Sequence, residues 1–408
     1  MRRFFALLGC VFLVVAPASA STSLSTGQQW PSVRESVVYS FQGGSNAEYP
    51  NGLDVFDGSF FGVSCCGGVA SSPQFSQGLG TIFEANTSGR ERVLYRFIGT
   101  PNDGWRPSGD VVLLHDVLYG TTYAGGTNLT FGLSGGSGTV FGLSGASGVE
   151  RVLHNFGKGL DGIGPQTGLI LVSGLFYGTT QFGGTYGHGT VFVISPSGAE
   201  RVIYNFKGNN DASEPNSGLA YANGVFYGTT ESGGLFGGGT LFAVSLNGTE
   251  RVLHSFGHGL DGSSGGASGF GPVVVTKGAV YGTMHTGGTY GFGMIYKVEA
   301  NGTERVLYSF KGGADGEYPS SLIATNDGLY GTTGFGGRGS CVPGPGTCGT
   351  VFELRWSGEE RIVYAFNGFP DGAFPNSLIL VGNVFYGYTT EGGRNNFGTI
   401  FKLENLRG

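Results

Sequence analysis

The sequence predicts an all-β protein, and more narrowly a seven-bladed β-propeller with four strands per blade, whose N-terminal strand completes the last blade. Composition, a repeat with seven copies, and the phase of that repeat predict this fold. The 408 residues include 82 Gly and 15 Pro, but also 32 Phe and 19 Tyr. A disordered chain is poor in aromatic residues. Frequent glycines disfavour helices, because each costs about 1 kcal/mol inside a helix.

The repeat is clearest between residues 319 and 366, where four short segments follow one another. Strand A is the apolar run 321–324, and strand B is the Leu-Tyr-Gly-Thr-Thr segment 329–333. Strand C is the Gly-Thr-Val-Phe-Glu-Leu segment 349–354, and strand D is the Glu-Arg-Ile-Val-Tyr-Ala-Phe segment 360–366. Each segment is rich in β-branched and aromatic residues and is bounded by turn residues, as strands are.

Each landmark of this pattern occurs seven times, at spacings of roughly 50–60 residues, which is typical of propeller blades. The aromatic residue before the strand B glycine is Phe61, Tyr119, Tyr177, Tyr227, Tyr281, Tyr330 or Tyr386. The strand C aromatic residue is Phe83, Phe141, Phe192, Phe242, Tyr296, Phe352 or Phe401. Strand D begins at Glu35, Glu91, Glu150, Glu200, Glu250, Glu304 or Glu360. The glycine within strand B weakens a strand, so we expect it where neighbouring blades approach closely.

The phase of the repeat predicts how the ring closes. The chain opens with a lone strand D, residues 35–41, and ends with strands A, B and C of the last repeat. We therefore expect the last blade to consist of residues 377–403 plus 35–41. Such an exchange pairs sheet edges that would otherwise stay open.

The N-terminal 20 residues have the features of a signal peptide. Arg2 and Arg3 precede a short apolar run, 4–15, and Ala18-Ser19-Ala20 forms a small-residue cleavage site. The run is too short to favour a membrane anchor. We expect a signal peptide at 1–20, a linker at 21–34, and a single propeller domain at 35–408. The expected location is secreted, periplasmic or extracellular.

The net charge and the cysteines indicate which partners are disfavoured and where a disulfide is expected. The net charge is −6 and no basic run occurs, so nucleic acid and anionic membranes are disfavoured as partners. Cys341 and Cys348 flank a Pro/Gly loop and are expected to form a disulfide, which an exported chain permits. The adjacent Cys65 and Cys66 could form a vicinal disulfide or stay as thiols. No metal motif appears, and we expect a monomer that needs no cofactor.

The repeat motifs resemble those of the GloVer tandem-repeat family of exported bacterial proteins, which are described as having a choice of anchor. Tyr-Gly-Thr-Thr, Gly-Gly, Gly-Thr-Val-Phe-Glu-Leu and Glu-Arg-Val-Leu-Tyr-Ser-Phe stand here almost as in the family's repeat, over nearly all of 35–408. The resemblance implies the fold and an exported location, and it implies no reaction and no catalytic residues. Because the sequence stops at Gly408 without a hydrophobic or sorting tail, we expect a free form.

Residues that recur in every blade are interpreted as structural. The aspartates between strands D and A are expected to form local turns. They are Asp103, Asp161, Asp211, Asp261, Asp315 and Asp371, with Asn46 in the first copy. The Glu-Arg pairs that open strand D are expected to contact the next blade, and His154 and His254 to pack within the fold.

Residues that differ between blades are the candidates for function. The two positions after the last threonine of strand B share one rim of the predicted ring. They read Cys65-Cys66, Tyr123-Ala124, Gln181-Phe182, Glu231-Ser232, His285-Thr286, Gly334-Phe335 and Thr390-Glu391. Among these we single out His285 and Tyr123 as candidate catalytic residues and Glu231 as a candidate ligand-binding residue.

Five further residues outside this rim are candidates. Asp54 and Asp110 lie near the predicted inner strands, and glycosidic hydrolysis needs two carboxyl groups at a fixed separation. Trp105 suits stacking on a sugar. Arg338 and Arg394 follow the Gly-Gly pairs of adjacent blades and could bind an acidic glycan.

We expect a secreted binding or scaffolding module for a glycan or a cell-surface protein. The alternative is an extracellular carbohydrate-active enzyme, either a hydrolase with a carboxylate pair or a lyase with a Tyr or His base and an Arg. A structural surface-layer or adhesion protein is a third interpretation. The sequence leaves open whether the protein is an enzyme.

Overall fold

A computed structural model of the chain shows seven small antiparallel sheets in a ring, so the protein is a seven-bladed β-propeller. The structure describes residues 33–68, 77–128, 136–145, 147–261, 272–337, 341 and 347–405. The predicted signal peptide, most of the predicted linker and Arg338 lie outside these residues. The described helices are two short 3-10 turns, Gly259–Asp261 and Gly313–Asp315. None of the described helices is long and apolar enough to cross a membrane.

The strands follow the predicted order A, B, C, D, and strand A is divided in some blades. Blades 1 to 3 contain β2 (Ala47–Phe56), β3 (Ser59–Gly67), β4 (Thr81–Asn86), β5 (Glu91–Arg96); β6 (Gly104–Leu114), β7 (Val117–Gly125), β8 (Thr139–Ser144), β9 (Glu150–Asn155); and β10 (Gly162–Ile163), β11 (Ile170–Val172), β12 (Leu175–Thr180), β13 (Phe182–Gly183), β14 (Thr190–Ile194), β15 (Glu200–Asn205). Blades 4 and 5 contain β16 (Ala212–Pro215), β17 (Ala220–Ala222), β18 (Val225–Gly233), β19 (Thr240–Ser245), β20 (Glu250–Ser255); and β21 (Val274–Thr276), β22 (Ala279–Met284), β23 (Met294–Glu299), β24 (Glu304–Ser309). Blades 6 and 7 contain β25 (Glu317–Ala324), β26 (Gly328–Phe335), β27 (Thr350–Arg355), β28 (Glu360–Ala365); and β29 (Gly372–Pro375), β30 (Ile379–Val381), β31 (Val384–Gly392), β32 (Thr399–Asn405), with β1 (Val33–Ser40) as strand D.

The N-terminal strand closes the ring as predicted. β1 pairs antiparallel with β32, from Val33 opposite Asn405 to Ser40 opposite Thr399. The Phe41 side chain that follows is fully buried. Blade 7 begins earlier than predicted, at Gly372, because strand A starts before the proline of each repeat and pairs there with the end of strand B.

The glycine within strand B has a different role from the one predicted. These glycines are Gly62, Gly120, Gly178, Gly228, Gly282, Gly331 and Gly387. Gly331, for example, lies directly opposite Phe352 of strand C in the same blade. A Cβ atom on Gly331 would overlap the Phe352 ring. The expectation of a close approach between blades was therefore wrong, because the glycine makes room for a buried ring of its own blade.

The recurrent polar residues form a network at the seam between blades. At the seam between blades 5 and 6, the Tyr308 hydroxyl of blade 5 donates to Asp315 Oδ1 at 2.7 Å, and the Lys311 backbone N–H donates to Asp315 Oδ2 at 2.7 Å. Glu360, which opens strand D of blade 6, interacts electrostatically with both Tyr308 and Asp315. The predicted turn role of this aspartate is confirmed.

Two blades carry histidine where the others have tyrosine. His154 Nε2 lies 2.9 Å from Asp161 Oδ2, and His254 Nε2 lies 3.0 Å from Asp261 Oδ2. Both rings also stack edge-on against buried phenylalanines of the same strand end. The histidines are therefore packed into the seam network, as the sequence predicted.

The cysteines occupy two positions. Cys341 and Cys348 form a disulfide, as predicted, and Cys348 is fully buried. Cys65 and Cys66 at the end of β3 are thiols, with their Sγ atoms 3.0 Å apart.

Candidate functional site at the mouth of the central channel

The innermost strands of all seven blades line a channel with a cavity of about 200 Å³. Most of its polar lining consists of amide and hydroxyl side chains. These are Asn51, Gln166, Thr167, Asn216, Ser321, Asn376, Ser377 and Tyr388. Asp110 is the one charged side chain among the described lining residues. Such a lining suits a ligand rich in hydroxyl groups, because amides and hydroxyls can both donate and accept.

Asp54 and Asp110 are brought together by the contact between blades 1 and 2. The Leu53 backbone N–H donates to Asp110 Oδ1 at 3.0 Å, and the Val55 N–H donates to Asp54 Oδ1 at 2.7 Å. The Asp110 side chain is open to the channel on one side, and protein atoms surround it on the others. This burial raises the pKa of Asp110 to about 6, and the Asp54 carboxylate adds to the rise. Burial also raises the pKa of Asp54. Asp110 can therefore carry or release a proton near neutral pH.

Tyr388 is a channel residue that the sequence analysis did not single out. It replaces the first threonine of Tyr-Gly-Thr-Thr in blade 7, and its side chain is buried at the channel wall. Burial raises the pKa of Tyr388, and the nearby Asp110 carboxylate raises it further. The signal was available, because this is the one tyrosine at that position of the repeat.

A second ring of residues surrounds the mouth of the channel, at the position before the strand A proline. Five of them have a positive φ, which non-glycine residues rarely adopt: Tyr49 (52°), Arg106 (54°), Glu214 (59°), Tyr318 (57°) and Phe374 (58°). Their backbone N–H groups donate to carbonyl groups of the preceding blade, for example Tyr318 to Phe292 at 3.0 Å. This contact between blades holds the unusual conformation. These five blades therefore hold this position in the same backbone conformation, while the side chain differs from blade to blade.

Blades 5 to 7 carry aromatic residues at the mouth. His285, Tyr318, Phe335 and Phe374 form a continuous series, here called the aromatic arc. Ring centroids are 6.4 Å apart for His285 and Tyr318, 5.6 Å for Tyr318 and Phe335, and 4.9 Å for Phe335 and Phe374. The arc lines a cavity of about 380 Å³ that also touches Asn376 of the channel. Phe335 is 42% exposed, so the arc offers an apolar face to a ligand.

His285, a predicted catalytic candidate, is part of this arc. Burial lowers the pKa of His285 to about 4. The ring is therefore neutral at pH 7, and a neutral imidazole can accept a proton or a hydrogen bond.

Blades 2 to 4 carry polar and charged residues at the mouth. The Arg106 guanidinium lies 6.0 Å from the Trp105 ring centroid and 5.6 Å from that of Tyr123. The Tyr123 hydroxyl donates to Gln181 Oε1 of blade 3 at 3.4 Å. Burial raises the pKa of Tyr123, and Arg106 opposes the rise. The structure therefore brings the candidates Trp105 and Tyr123 together around one guanidinium.

Of the other predicted site residues, Glu231 lies at the mouth and Arg394 lies away from it. Glu231 is exposed at the blade 4 part of the mouth, where burial and the Glu214 carboxylate raise its pKa. Arg394 lies elsewhere, in a cleft beside Tyr39, Ser40 and Pro370 at the outer edge where blade 7 meets blade 1. Arg394 is thus separate from the aromatic arc, and Arg338 lies outside the described residues.

One group of described side chains has the composition of a metal site. His154, Asp161 and Glu200 place ligand atoms within 4.8 Å of one another. They occupy the seam position that holds a tyrosine, an aspartate and a glutamate in other blades. This geometry is accounted for by the seam network, and it lies away from the channel lining.

Comparisons with known proteins agree with the fold. The family model described as the Gloeobacter/Verrucomicrobia repeat matches residues 128–343. No curated protein matches the chain in sequence.

Solved structures with the same fold are distant in sequence. An oligogalacturonate lyase from Vibrio parahaemolyticus has a TM-score of 0.53 at 8% identity, over 91% of this chain and 97% of that chain. An oligogalacturonate lyase in complex with manganese has a TM-score of 0.52 at 10% identity, over 93% and 99%. The WD40 β-propeller domain of Doa1 has a TM-score of 0.52 at 13% identity, over 90% and 96%. At such identities the likeness shows the fold alone.

Proposed function

This chain belongs to the Gloeobacter/Verrucomicrobia repeat family, and we propose that it is an exported binding module that holds a glycan at the mouth of its channel. The observation that carries the proposal is the aromatic arc beside the amide-lined channel. Sugar rings have apolar faces that pack on aromatic rings, and hydroxyl edges that hydrogen-bond to amides. Here Phe335 and Phe374 supply the first kind of surface and Asn376 the second.

The proposed location outside the cytoplasm is supported by the disulfide between Cys341 and Cys348, since disulfides persist in oxidising compartments. The features of residues 1–20 support the same location. A cell-surface protein remains the alternative ligand for the same mouth.

The exposed ring of Phe335 provides the test of glycan binding. We expect Phe335→Ala to weaken binding to the best ligand on a glycan array at least tenfold, because one stacked ring is lost. The melting temperature should change little, since exposed positions usually alter stability by less than about 0.5 kcal/mol.

The matched control is Phe369→Ala. Phe369 is 59% exposed and lines neither the channel nor the aromatic cavity. Equal losses from the two variants, or an array on which no glycan binds while a surface protein does, would contradict the proposal.

A second candidate function, glycoside hydrolysis, is supported by the carboxyl pair at the channel. Asp110, with its raised pKa, would act as the acid, and Asp54 would be its partner. For a lyase, His285 and Arg394 line different cavities, so these two residues do not form the base and cation pair that the sequence suggested.

A reducing-sugar assay on the purified chain separates binding from hydrolysis. If the protein is a hydrolase, Asp110→Asn should reduce turnover by at least a hundredfold and leave glycan affinity nearly unchanged. An unmodified chain that binds a glycan and releases no reducing ends would leave binding as the function.

A further inference from the structure

The charges around the mouth are strongly one-sided. Glu391 of blade 7, Glu214 and Glu231 of blade 4, and Asp110 in the channel are carboxyl groups. Arg106 is the one guanidinium or amine among the side chains described at the mouth and channel. Arg106 already contacts the rings of Trp105 and Tyr123. An anionic ligand would therefore meet mainly like charge.

Blade 4 presents two buried side-chain oxygens that lack hydrogen-bond partners within the described part of the chain and can each accept a hydrogen bond. Asn216 and Thr229 are each 3% exposed, and neither Asn216 Oδ1 nor Thr229 Oγ1 has a hydrogen-bond partner among the described residues. Asn216 also lines the channel. A buried acceptor without a donor costs about 1–3 kcal/mol, so it marks a place where a donor would be favourable.

The two carboxylates of the same blade lie near these atoms in the sequence and at the same mouth. Glu214 lies two residues before Asn216, and Glu231 lies two residues after Thr229. The Glu214 carboxylate raises the pKa of Glu231, as a like charge does. Glu214, Asn216, Thr229 and Glu231 are together called the blade 4 acceptor cluster.

We propose that the blade 4 acceptor cluster binds the ammonium group of an amino sugar, so that the ligand is a glycan with free amines. An ammonium group has three donors and no acceptor, which matches a cluster of acceptors. Its charge also relieves the repulsion between Glu214 and Glu231. The aromatic arc would pack against the rings of the same glycan. This inference rests on the proposed glycan-binding function and names its ligand class.

A hard divalent cation fits the cluster less well. Calcium takes six to eight oxygen ligands, and the cluster supplies six only if both carboxylates bind through both of their oxygens. The neighbouring aromatic arc also has no role in holding a metal ion.

The test compares tetrasaccharides whose rings carry a free amine, an acetylated amine or a carboxylate. Calorimetry on the full chain would measure the affinity for a β-1,4-linked glucosamine tetramer, for its fully N-acetylated form, and for a galacturonate tetramer. We expect the amine form to bind at least tenfold more tightly than the acetylated form, and the acidic tetramer to bind weakest. Glu231→Gln should remove the advantage of the amine form, which is read as the ratio of the affinities for the amine and acetylated tetramers. Glu299→Gln is the control, because Glu299 is a half-exposed glutamate at the C-terminal end of strand C in blade 5, opposite the start of strand B.

The outcomes separate the two proposals. Equal affinity for the amine and acetylated tetramers, or preference for the acidic one, overturns this inference while glycan binding stands. Saturation of the cluster by calcium alone, in competition with the amine tetramer, also overturns it. If none of the tetramers binds and the glycan array is negative, the proposed function fails as well. If Glu231→Gln lowers the melting temperature, the test is repeated with Glu214→Gln.

Discussion

We expect the protein without residues 21–41 to be largely unfolded near ambient temperature, so that it shows no cooperative unfolding transition. The deletion removes β1, which is paired along its length with β32, and it removes the fully buried Phe41. The Phe41 ring packs edge-on against Phe83 of blade 1, with centroids 5.1 Å apart. Loss of one buried Phe costs about 3–5 kcal/mol, and loss of the strand exposes a sheet edge as well. The free energy of unfolding of a typical domain is only about 5–15 kcal/mol in total.

Point variants make the same test in a chain that still folds. Phe41→Ala should lower the free energy of unfolding by about 3–5 kcal/mol in urea titrations. Val37→Ala, at a half-exposed position of the same strand, should change it by less than about 1 kcal/mol. A truncated protein that melts like the intact one would refute the closure of the ring by β1.

Stability should fall as the pH rises from about 5 to about 8, which is the second large effect. The cause is the set of strand D glutamates at the seams. Burial raises their pKa values, and a neighbouring aspartate adds to the rise in the six blades that have one. The pKa rises to about 8 for Glu35 and Glu150, and to about 7 for Glu200, Glu250, Glu304 and Glu360.

The direction follows from proton linkage. A glutamate titrates near pH 4.5 in the unfolded chain and near pH 7–8 in the fold, so the folded state binds more protons between these values. Stability is then fully present below about pH 4.5 and is lost as the pH passes through 7–8. One unit of pKa shift corresponds to about 1.4 kcal/mol, so six seams together amount to several kcal/mol. His285, with its lowered pKa, acts in the opposite direction, but it is a single site.

Thermal melting between pH 5 and pH 8 checks this expectation. Glu360→Gln keeps the shape of the protonated side chain, so it should raise the melting temperature at pH 8 and change it little at pH 5. Glu359→Gln is the matched control, because that neighbouring side chain is 67% exposed. A melting temperature that rises steadily from pH 5 to pH 8 would mean that the seam glutamates are ionised in the fold.

The candidate site was only partly predictable. The rim positions His285, Tyr123 and Glu231 were found, because residues at the same place in each repeat must reach the same rim of a ring. Tyr318 and Phe374 were missed because they occupy a register before the strand A proline that looks like a strand residue. Whether such a side chain lines the mouth depends on a positive φ, and that conformation is held by a hydrogen bond that the residue's own backbone N–H donates to a carbonyl of the preceding blade.

The sequence by itself determined the number of blades, the order of strands and the closure by the N-terminal strand, because these follow from periodicity and phase along one chain. It also determined the seam network, since the same polar residues recur at the same spacing. Only the tertiary structure decided which variable residues meet. Phe335 of blade 6 contacts Phe374 of blade 7, while Arg394 lies at the outer edge, although Phe335 ends strand B of blade 6 and Arg394 closely follows strand B of blade 7. Periodicity specifies the position of a residue within its blade, but the direction and neighbours of its side chain depend on packing between blades, which no single repeat encodes.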